Sequence, residues 1–352
     1  MKSPSILVIR PEKLGDLVVA TPVFRAFKES FPQHQIHLLT DESFADVVRH
    51  DPHIDKIITI PWRGSTRGNR PSLLAIRLKL SEIKYQQAAI LYSGWSEWNL
   101  ICASLGISEV AQLGGTLAGT LLGHRMVLRG DRFKERHFRD WYLDVAEKLG
   151  AITSSKDPQI FIQNKEIEAF ARRFPNYASL ARQSTLLHLG GSPEGENVSV
   201  EKLSEWAPQI AVATGASVFV TGTPTEAVQW LKFSPPGIRD ELLGKLSLRE
   251  MMVAVLLAGR VVSNSTGIIH LAAAAGTPTL GIYTSDPANS ERVWGPLGGH
   301  SSCLAPTIED DAKRLSALAS GGRLDLGEVI SAGRVIHAIS QLPLTEERGV
   351  IL

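Results

Sequence analysis

The chain has 352 residues, of which 43% are hydrophobic and 21% are charged, and its formal net charge is +1. This near-neutral balance excludes a dominant nucleic-acid-binding surface, and the two cysteines, which form no CxxC pair, exclude a disulfide framework or a zinc site of that type. No apolar stretch reaches the roughly 18 residues of a membrane span, and the apolar run near the N-terminus is too short for a signal peptide, so we expect a cytoplasmic protein.

The first half of the chain alternates short apolar runs with segments of helical spacing. Strands are predicted at residues 6–9, 36–39, 56–60 and 88–91. After Gly15-Asp16, apolar side chains recur at steps of three and four residues, which predicts one helix. Those side chains are Leu17, Ala20, Phe24, Phe27 and Phe31. The alternation of strands and helices indicates βαβ units and a parallel sheet.

A polar, turn-prone stretch at residues 154–158 separates two patterned halves. We therefore predict a first domain over residues 1–160 and a second over 161–325, with a C-terminal helix in 326–352 that packs back on the first domain. The second half repeats the alternation. Strands are predicted at 184–189, 217–220, 261–262 and 279–282, and helices at 200–214, 224–231, 248–257 and 267–275. The predicted fold class is α/β, with two doubly wound parallel sheets whose ligands bind at the carboxyl ends of the strands.

The loop between the first strand and the first helix contains Asp16, directly after Gly15. From position alone Asp16 is best interpreted as a helix cap, because an aspartate there accepts a hydrogen bond from first-turn amides and is favoured by the helix dipole. The functional alternative is that its carboxylate removes a proton from an acceptor hydroxyl. Arg10 and Lys13 would then keep the carboxylate ionised or hold an anionic acceptor, although exposed loop cations are often only solvated.

A second candidate segment, residues 263–270, leads from a predicted strand into a helix of small residues. Free amides at a helix start, together with the hydroxyls of Ser265 and Thr266, are typical of a phosphate site, and Gly267 lets the backbone approach a ligand closely. The alternative is that Ser265 or Thr266 only caps the helix and that His270 is a core residue. A neutral histidine in a near-apolar helix needs a partner, which slightly favours the functional interpretation.

Weaker signals lie in three other places. A glycine-rich loop at 190–195, which contains Ser192, permits close approach to a diphosphate but is also typical of an ordinary turn. Trp95, beside Ser93, could stack on a sugar ring or pack in the core. Two basic clusters in the first domain are either solvated faces or a surface for a phosphorylated acceptor and an anionic membrane. The clusters comprise Arg63, Arg67, Arg70, Arg77 and Lys79, and Arg125, Arg129, Arg132, Lys134 and Arg136.

Taken together, these segments resemble glycosyltransferase family 9, the ADP-heptose:lipopolysaccharide heptosyltransferases. The opening at residues 6–10, followed by Gly15-Asp16 and Thr21-Pro22, is similar to the start of that family, and 266–274 is similar to its signature near the donor. The segment 245–248 is similar as well. The resemblance implies a GT-B fold with two Rossmann-like domains facing a cleft, the acceptor bound by the first and the nucleotide by the second. It also implies that no metal and no cofactor are needed, since the nucleotide sugar is a substrate.

The resemblance assigns roles to individual residues. Asp16 would be the catalytic base of an inverting transfer, and the amides at Thr266 and Gly267 would stabilise the departing diphosphate. Donor contacts are expected at Ser192, Asn197, Glu226, Leu246, Ser265, Thr266, Gly267 and His270. Acceptor contacts are expected at Arg10, Lys13, Ser93 and Trp95.

The expected function is transfer of a heptose, or a related sugar, from a nucleotide diphosphate to a lipopolysaccharide core or another surface glycan. ADP-heptose is the expected donor. Because such an acceptor is made at the inner membrane, we expect a cytoplasmic protein with peripheral contact to the inner face of that membrane, and no nucleic-acid partner.

Two positions depart from the family pattern. Asn197-Val198 stands where many members have Lys-Trp, and Ser265 stands where most have Asp, so a phosphate-neutralising cation and a carboxylate beside the nucleotide are missing. Lys202 or Lys245 could replace the cation. The alternatives are therefore another nucleotide sugar on the same fold, a non-catalytic sugar-nucleotide or glycan-binding relative, and an oxidoreductase with two Rossmann-like halves. The lack of GxGxxG after the first strand argues against the oxidoreductase, and the lack of GxxxxGK[ST] argues against a P-loop enzyme.

Overall fold

The computed structural model describes residues 3–62, 71–92, 95–128, 130–191, 195–307, 310, 316, 319 and 323–344. The chain forms two units, unit 1 (Met1–Phe161) and unit 2 (Ile162–Leu352), and each is built around one parallel sheet. The division between the units lies one residue beyond the boundary predicted after residue 160.

The described part of unit 1 contains a six-stranded sheet and its connecting helices. The strands are β1 (Ser5–Ile9), β2 (Gln35–Asp41), β3 (Lys56–Ile60), β4 (Tyr85–Ile90), β5 (Glu109–Leu113) and β6 (Arg125–Val127). The helices are α1 (Leu14–Val19), α2 (Thr21–Ser30), α3 (Leu73–Leu80), α4 (Glu97–Ser104), α5 (Leu117–Leu121) and α6 (Phe138–Glu147), with 3₁₀ turns at Ala45–Val48 and Gly130–Lys134.

Strand β1 occupies the centre of this sheet, whose order is β3-β2-β1-β4-β5-β6. Ile9 pairs in parallel register with Leu39 on one side and with Ile90 on the other. Every residue of β1 is buried, as expected for an apolar strand in a parallel sheet that is covered on both faces. The strand order reverses between β1 and β4, so the chain leaves β1 at the topological switch point, where doubly wound sheets bind their ligands.

The single helix predicted after Asp16 is wrong, because the chain forms two helices there. Helix α1 ends at Val19, and α2 begins at Thr21 with Pro22 in its first turn. A proline has no N–H to donate and fits best in the first turn of a helix, so Pro22 starts a new helix instead of continuing the old one. Phe31, the last predicted position, is the C-cap residue of α2.

The described part of unit 2 contains a five-stranded parallel sheet. The strands are β7 (Ser184–His188), β8 (Ser217–Thr221), β9 (Arg260–Asn264), β10 (Thr279–Ile282) and β11 (Ser301–Leu304), and their order is β11-β10-β9-β7-β8. The helices are α7 (Asn164–Arg173), α8 (Pro175–Leu180), α9 (Val200–Thr214), α10 (Pro224–Trp230), α11 (Leu248–Leu257), α12 (Gly267–Ala274), α13 (Glu291–Trp294) and α14 (Ala332–Ser340), with 3₁₀ turns at Ala181–Gln183 and Leu326–Glu328. The order reverses between β7 and β9, which therefore flank the switch point of this unit.

The apolar face of the C-terminal helix α14 is buried in unit 2. Val335 and Ile339 belong to the hydrophobic cluster that also contains strands β7 to β10, and Arg260 Nη1 donates a hydrogen bond to the backbone oxygen of Ile339 at 3.0 Å. The apolar residues of α14 complete the core of their own unit, and packing of the segment on the first domain stays a prediction. Among the described residues, no helix is long and apolar enough to cross a membrane.

Candidate functional site

Asp16 does not cap a helix in the structure. Helix α1 has Lys13 as its N-cap residue, with a positive φ of 51° and no side-chain capping bond, and Asp16 lies in the first turn. Its Oδ1 atom accepts a hydrogen bond from the Tyr142 hydroxyl at 2.9 Å and forms an ion pair with Arg10. The capping interpretation, which position alone favoured, is therefore wrong, and the carboxylate belongs to a buried polar network.

Arg10 is the centre of that network. Its side chain is buried, and Nη1 donates to the backbone oxygen of Leu91, the residue after β4, at 3.1 Å. The guanidinium carbon lies 5.3 Å from the ring centroid of Tyr142 and 5.9 Å from that of Tyr92, so aromatic faces enclose the cation. These contacts hold the guanidinium rigidly at the switch point.

A second carboxylate, Glu12, lies on the other side of Arg10. Its Oε1 atom accepts hydrogen bonds from the Tyr92 hydroxyl at 2.9 Å and from Trp62 Nε1 at 3.2 Å. Burial alone would lower the pKa of Arg10, but the negative charges of Asp16 and Glu12 raise it above its ordinary value. Glu12 was missed in the sequence, although its place in the same loop as Asp16 was a usable signal.

The remaining residues expected to contact the acceptor have less defined positions. Lys13 is exposed at the start of α1, and Ser93 lies outside the described residues. Trp95 is half-buried, with ring centroids 4.9 Å from Trp62 and 4.6 Å from Trp98. Trp95 therefore packs in an aromatic cluster, and whether it also stacks on a sugar stays a prediction.

In the described part of the two basic clusters, two arginines have acidic partners. Arg136 makes a bidentate ion pair with Asp144 at 2.6 and 3.0 Å, and Arg125 lies 3.7 Å from Glu109. Lys79 donates to the backbone oxygen of Thr59 at 2.6 Å. The residues outside the described part are Arg63, Arg67, Arg70, Arg129 and the side chain of Arg132.

In unit 2, the start of α12 lies at the carboxyl end of β9. Thr266 is the N-cap residue, and its hydroxyl accepts from the Ile268 amide at 3.3 Å and contacts Ser263 Oγ at 3.1 Å. The Ser265 amide donates to the backbone oxygen of Ile282 at 2.9 Å, which ties the turn to β10. Gly267 begins the helix, so the predicted helix start is confirmed and Thr266 does cap it. A cap of this kind still leaves first-turn amides without a partner inside the helix.

Asn264, the last residue of β9, organises the loop that follows β7. Its Oδ1 atom accepts from the Val198 amide at 2.9 Å, and its Nδ2 atom donates to the backbone oxygens of Gly190 at 3.2 Å and Val198 at 3.1 Å. The side chain is 1% exposed. Asn264 was not predicted from the sequence. A polar side chain beside Ser265 gives no indication that it contacts residues more than 60 positions away.

His188, the last residue of β7, is also buried at the switch point of unit 2. Its Nδ1 atom lies 3.1 Å from the Thr221 hydroxyl, and burial lowers its pKa to about 4, so the ring is neutral at neutral pH. A Cβ at position 190 would collide with His188 Nε2, so only glycine fits there. The backbone at position 190 lies close to the His188 ring, which explains why a glycine stands there.

The other expected donor residues have varied surroundings. His270 is buried inside α12, and Leu246 is half-buried before α11. Glu226 forms a capping box with Thr223, whose amide donates to the carboxylate at 2.6 Å. Asn197 Nδ2 donates to a backbone oxygen in its own loop at 3.0 Å, and Ser192 lies outside the described residues. Contact of each with a donor stays a prediction.

The two lysines suggested as replacements for the missing cation make contacts of their own. Lys202 Nζ lies 2.9 Å from a carboxylate oxygen of Glu205, which raises the pKa of the lysine, and Lys245 Nζ donates to the backbone oxygen of Glu241 at 3.0 Å. Within the described ranges, no three His, Cys, Asp or Glu side chains are grouped so as to hold a metal ion. Metal independence stays a prediction.

Known proteins resemble this chain in sequence. The model of glycosyltransferase family 9 (heptosyltransferase) matches residues 207–317, which lie in unit 2. Lipopolysaccharide heptosyltransferase 1 of Campylobacter coli is 21% identical, over 80% of this chain and 84% of that protein. The resemblance inferred from the sequence is confirmed.

Solved structures extend the likeness to both units. The family 9 glycosyl transferase of Veillonella parvula superposes with a TM-score of 0.79 at 19% identity, covering 97% of this chain and 98% of that one. The E. coli heptosyltransferase WaaC, solved with ADP, gives a TM-score of 0.70 at 16% identity and covers 96% of this chain and 99% of its own. The predicted α/β fold of GT-B type, with two Rossmann-like units, is confirmed.

Proposed function

We propose that this chain is a glycosyltransferase that transfers a heptose or a related sugar from ADP-heptose to a lipopolysaccharide core or another surface glycan, with inversion and without a metal. The likeness to glycosyltransferase family 9 favours this function over the oxidoreductase alternative. What supports the proposal most is the position of Asp16, a carboxylate ion-paired to buried Arg10 at the switch point of unit 1.

In the proposed reaction, Asp16 takes the proton of an acceptor hydroxyl. The acceptor oxygen forms a bond to the anomeric carbon while the bond from that carbon to the diphosphate oxygen breaks, and the diphosphate leaves with the electron pair. A general base of this kind contributes about 10²- to 10⁴-fold to the rate. The ion pair with Arg10 holds the Asp16 carboxylate in place.

The proposed diphosphate site is the start of α12. The amides of Thr266 and Gly267 lie at the positive end of this helix, where negative charge is favoured. Asn264 holds the neighbouring loop through hydrogen bonds to Val198 and Gly190, and the neutral ring of His188 lies against Gly190. We propose donor contacts at Ser192, Asn197, Glu226, Leu246, Ser265 and His270 as well.

The identity of the donor rests on relatives. WaaC has been solved with ADP, and we propose the same nucleotide for this chain. The absent family lysine and aspartate, at Asn197 and Ser265, favour testing other sugars and a purely binding role as the alternatives. Attachment to the inner face of the inner membrane, where the acceptor is made, is proposed on the same basis.

The test is turnover of Asp16→Asn with ADP-heptose and a heptose-deficient lipopolysaccharide, followed as ADP release. The chain offers a matched control, Glu12→Gln, which neutralises the other carboxylate beside Arg10. We expect Asp16→Asn to lose about 10²- to 10⁴-fold in kcat and Glu12→Gln to lose far less.

Near-normal turnover in Asp16→Asn would remove Asp16 as the base. A screen of thermal stabilisation by ADP-, UDP-, GDP- and dTDP-sugars identifies the donor independently, since a ligand that binds only the folded chain raises its melting temperature. Stabilisation by a sugar nucleotide with no turnover on any acceptor would favour the binding relative.

A further inference from the structure

The two oxygens of the Asp16 carboxylate have different surroundings. Oδ1 forms the ion pair with the Arg10 guanidinium and accepts the hydrogen bond from the Tyr142 hydroxyl. Among the described residues, Oδ2 accepts no hydrogen bond. The carboxylate is therefore fixed through one oxygen and leaves the other available.

We propose that Tyr142 is a positioning residue which, together with Arg10, occupies Oδ1 so that Oδ2 is the atom that takes the acceptor proton. This inference rests on the proposed role of Asp16. The new proton resides on Oδ2, the acceptor oxygen bonds to the anomeric carbon, and the diphosphate carries away the electron pair. Tyr142 keeps its own proton throughout.

Tyr142 is built to act this way. It lies on α6, is 1% exposed, and its ring packs 5.8 Å from that of Phe138 and beneath the guanidinium of Arg10. A side chain so enclosed has little rotational freedom, so its hydroxyl holds a constant direction toward Asp16. A hydroxyl that donates a hydrogen bond to an ionised carboxylate favours the ionised form. The same bond restricts the orientations that the carboxylate can adopt.

The chain contains a matched tyrosine on the other carboxylate. Tyr92 donates to Glu12 Oε1 at 2.9 Å, the same distance as from Tyr142 to Asp16, and its ring also faces Arg10. Tyr142→Phe and Tyr92→Phe thus remove the same atom, in the same network, from different carboxylates. If the two hydroxyls contributed only to the stability of the network, Tyr142→Phe and Tyr92→Phe would have similar effects on activity.

The experiment measures kcat and the KM of donor and acceptor for wild type, Tyr142→Phe and Tyr92→Phe, with ADP-heptose and a heptose-deficient lipopolysaccharide. We expect the kcat of Tyr142→Phe to fall about three- to tenfold with little change in the donor KM, because the Asp16 carboxylate loses a donor that fixes its orientation. Tyr92→Phe should lower kcat much less.

A second measurement does not depend on turnover. In a crystal structure of Tyr142→Phe the Asp16 carboxylate should adopt more than one orientation, whereas in Tyr92→Phe it should keep the wild-type orientation. If Tyr142→Phe does not fold, site-specific 3-fluorotyrosine at position 142, which keeps the hydroxyl but is a more acidic donor, should change kcat without changing the donor KM.

An unchanged kcat in Tyr142→Phe, or equal losses of kcat in the two tyrosine variants, would overturn the inference. Failure of the proposed function looks different: Asp16→Asn would then keep its activity, or wild type would lack it, while the Asp16 carboxylate would still change orientation in Tyr142→Phe. The two ideas are therefore separable.

Discussion

The switch points of the two units are built from opposite kinds of polar group. In unit 1, β1 ends in a buried cation, Arg10, with the carboxylates of Asp16 and Glu12 around it. In unit 2, β7 and β9 end in the uncharged side chains of His188 and Asn264. A charged pair suits proton transfer, whereas neutral groups that shape the backbone suit a site for an anion. The same sheet topology thus carries a charged network in unit 1 and an uncharged one in unit 2.

The largest effect that separates the two regions should come from removing the buried cation. Arg10→Met leaves Asp16 and Glu12 without their shared partner, and breaking a buried pair in this way costs about 3–5 kcal/mol of unfolding free energy. Denaturant unfolding measures this loss of unfolding free energy. Arg136→Met is the control, because its ion pair with Asp144 is 41% and 29% exposed and should cost no more than about 1 kcal/mol. Equal losses of unfolding free energy in Arg10→Met and Arg136→Met would mean that the buried Arg10 network contributes no more to stability than an exposed ion pair.

The uncharged switch point of unit 2 should differ from the Arg10 network in how the stability of the protein depends on pH. Burial lowers the pKa of His188 to about 4, below the roughly 6.5 of the unfolded chain, so the unfolded state binds more protons between these values. Stability contributed by neutral His188 is fully present above pH 6.5 and is lost as the pH falls toward 4. The loss should approach about 3 kcal/mol. In His188→Gln, unfolding free energies measured from pH 7 to 4 should decline less steeply, and an unchanged slope would exclude His188 as the source.

The smallest of the three effects should follow loss of the Asn264 amide. Asn264→Ala removes three hydrogen bonds and leaves buried backbone groups of Gly190 and Val198 unpaired, which should cost about 2 kcal/mol. Because the loop after β7 loses its anchor, donor affinity measured by calorimetry should also fall. Ser263→Ala, in the same strand, loses only hydroxyl contacts to its own turn and serves as the control. Unaltered donor affinity in Asn264→Ala would separate this loop from the donor site.

Local sequence patterns predicted most of the fold. Helices α9 and α11 and strands β3 and β10 begin and end where the apolar periodicity placed them. Strands β5, β6 and β11 were not predicted, because they are short and lie at or beside sheet edges, where alternation with polar residues weakens the apolar signal. Pro22 was visible in the sequence, but its consequence for the first helix was overlooked.

The sequence alone determined the α/β class, the division near residue 160, the likeness to glycosyltransferase family 9, and the positions of Asp16 and Thr266 at strand-to-helix turns, because each of these depends on short-range spacing or composition. Only the tertiary structure decided that Asp16 pairs with Arg10 and Tyr142, that Asn264 anchors the loop after β7, and that α14 completes the core of unit 2. Tyr142 stands 126 positions from Asp16. Contacts over such separations arise from how the helices pack on the sheet, and no local pattern encodes them.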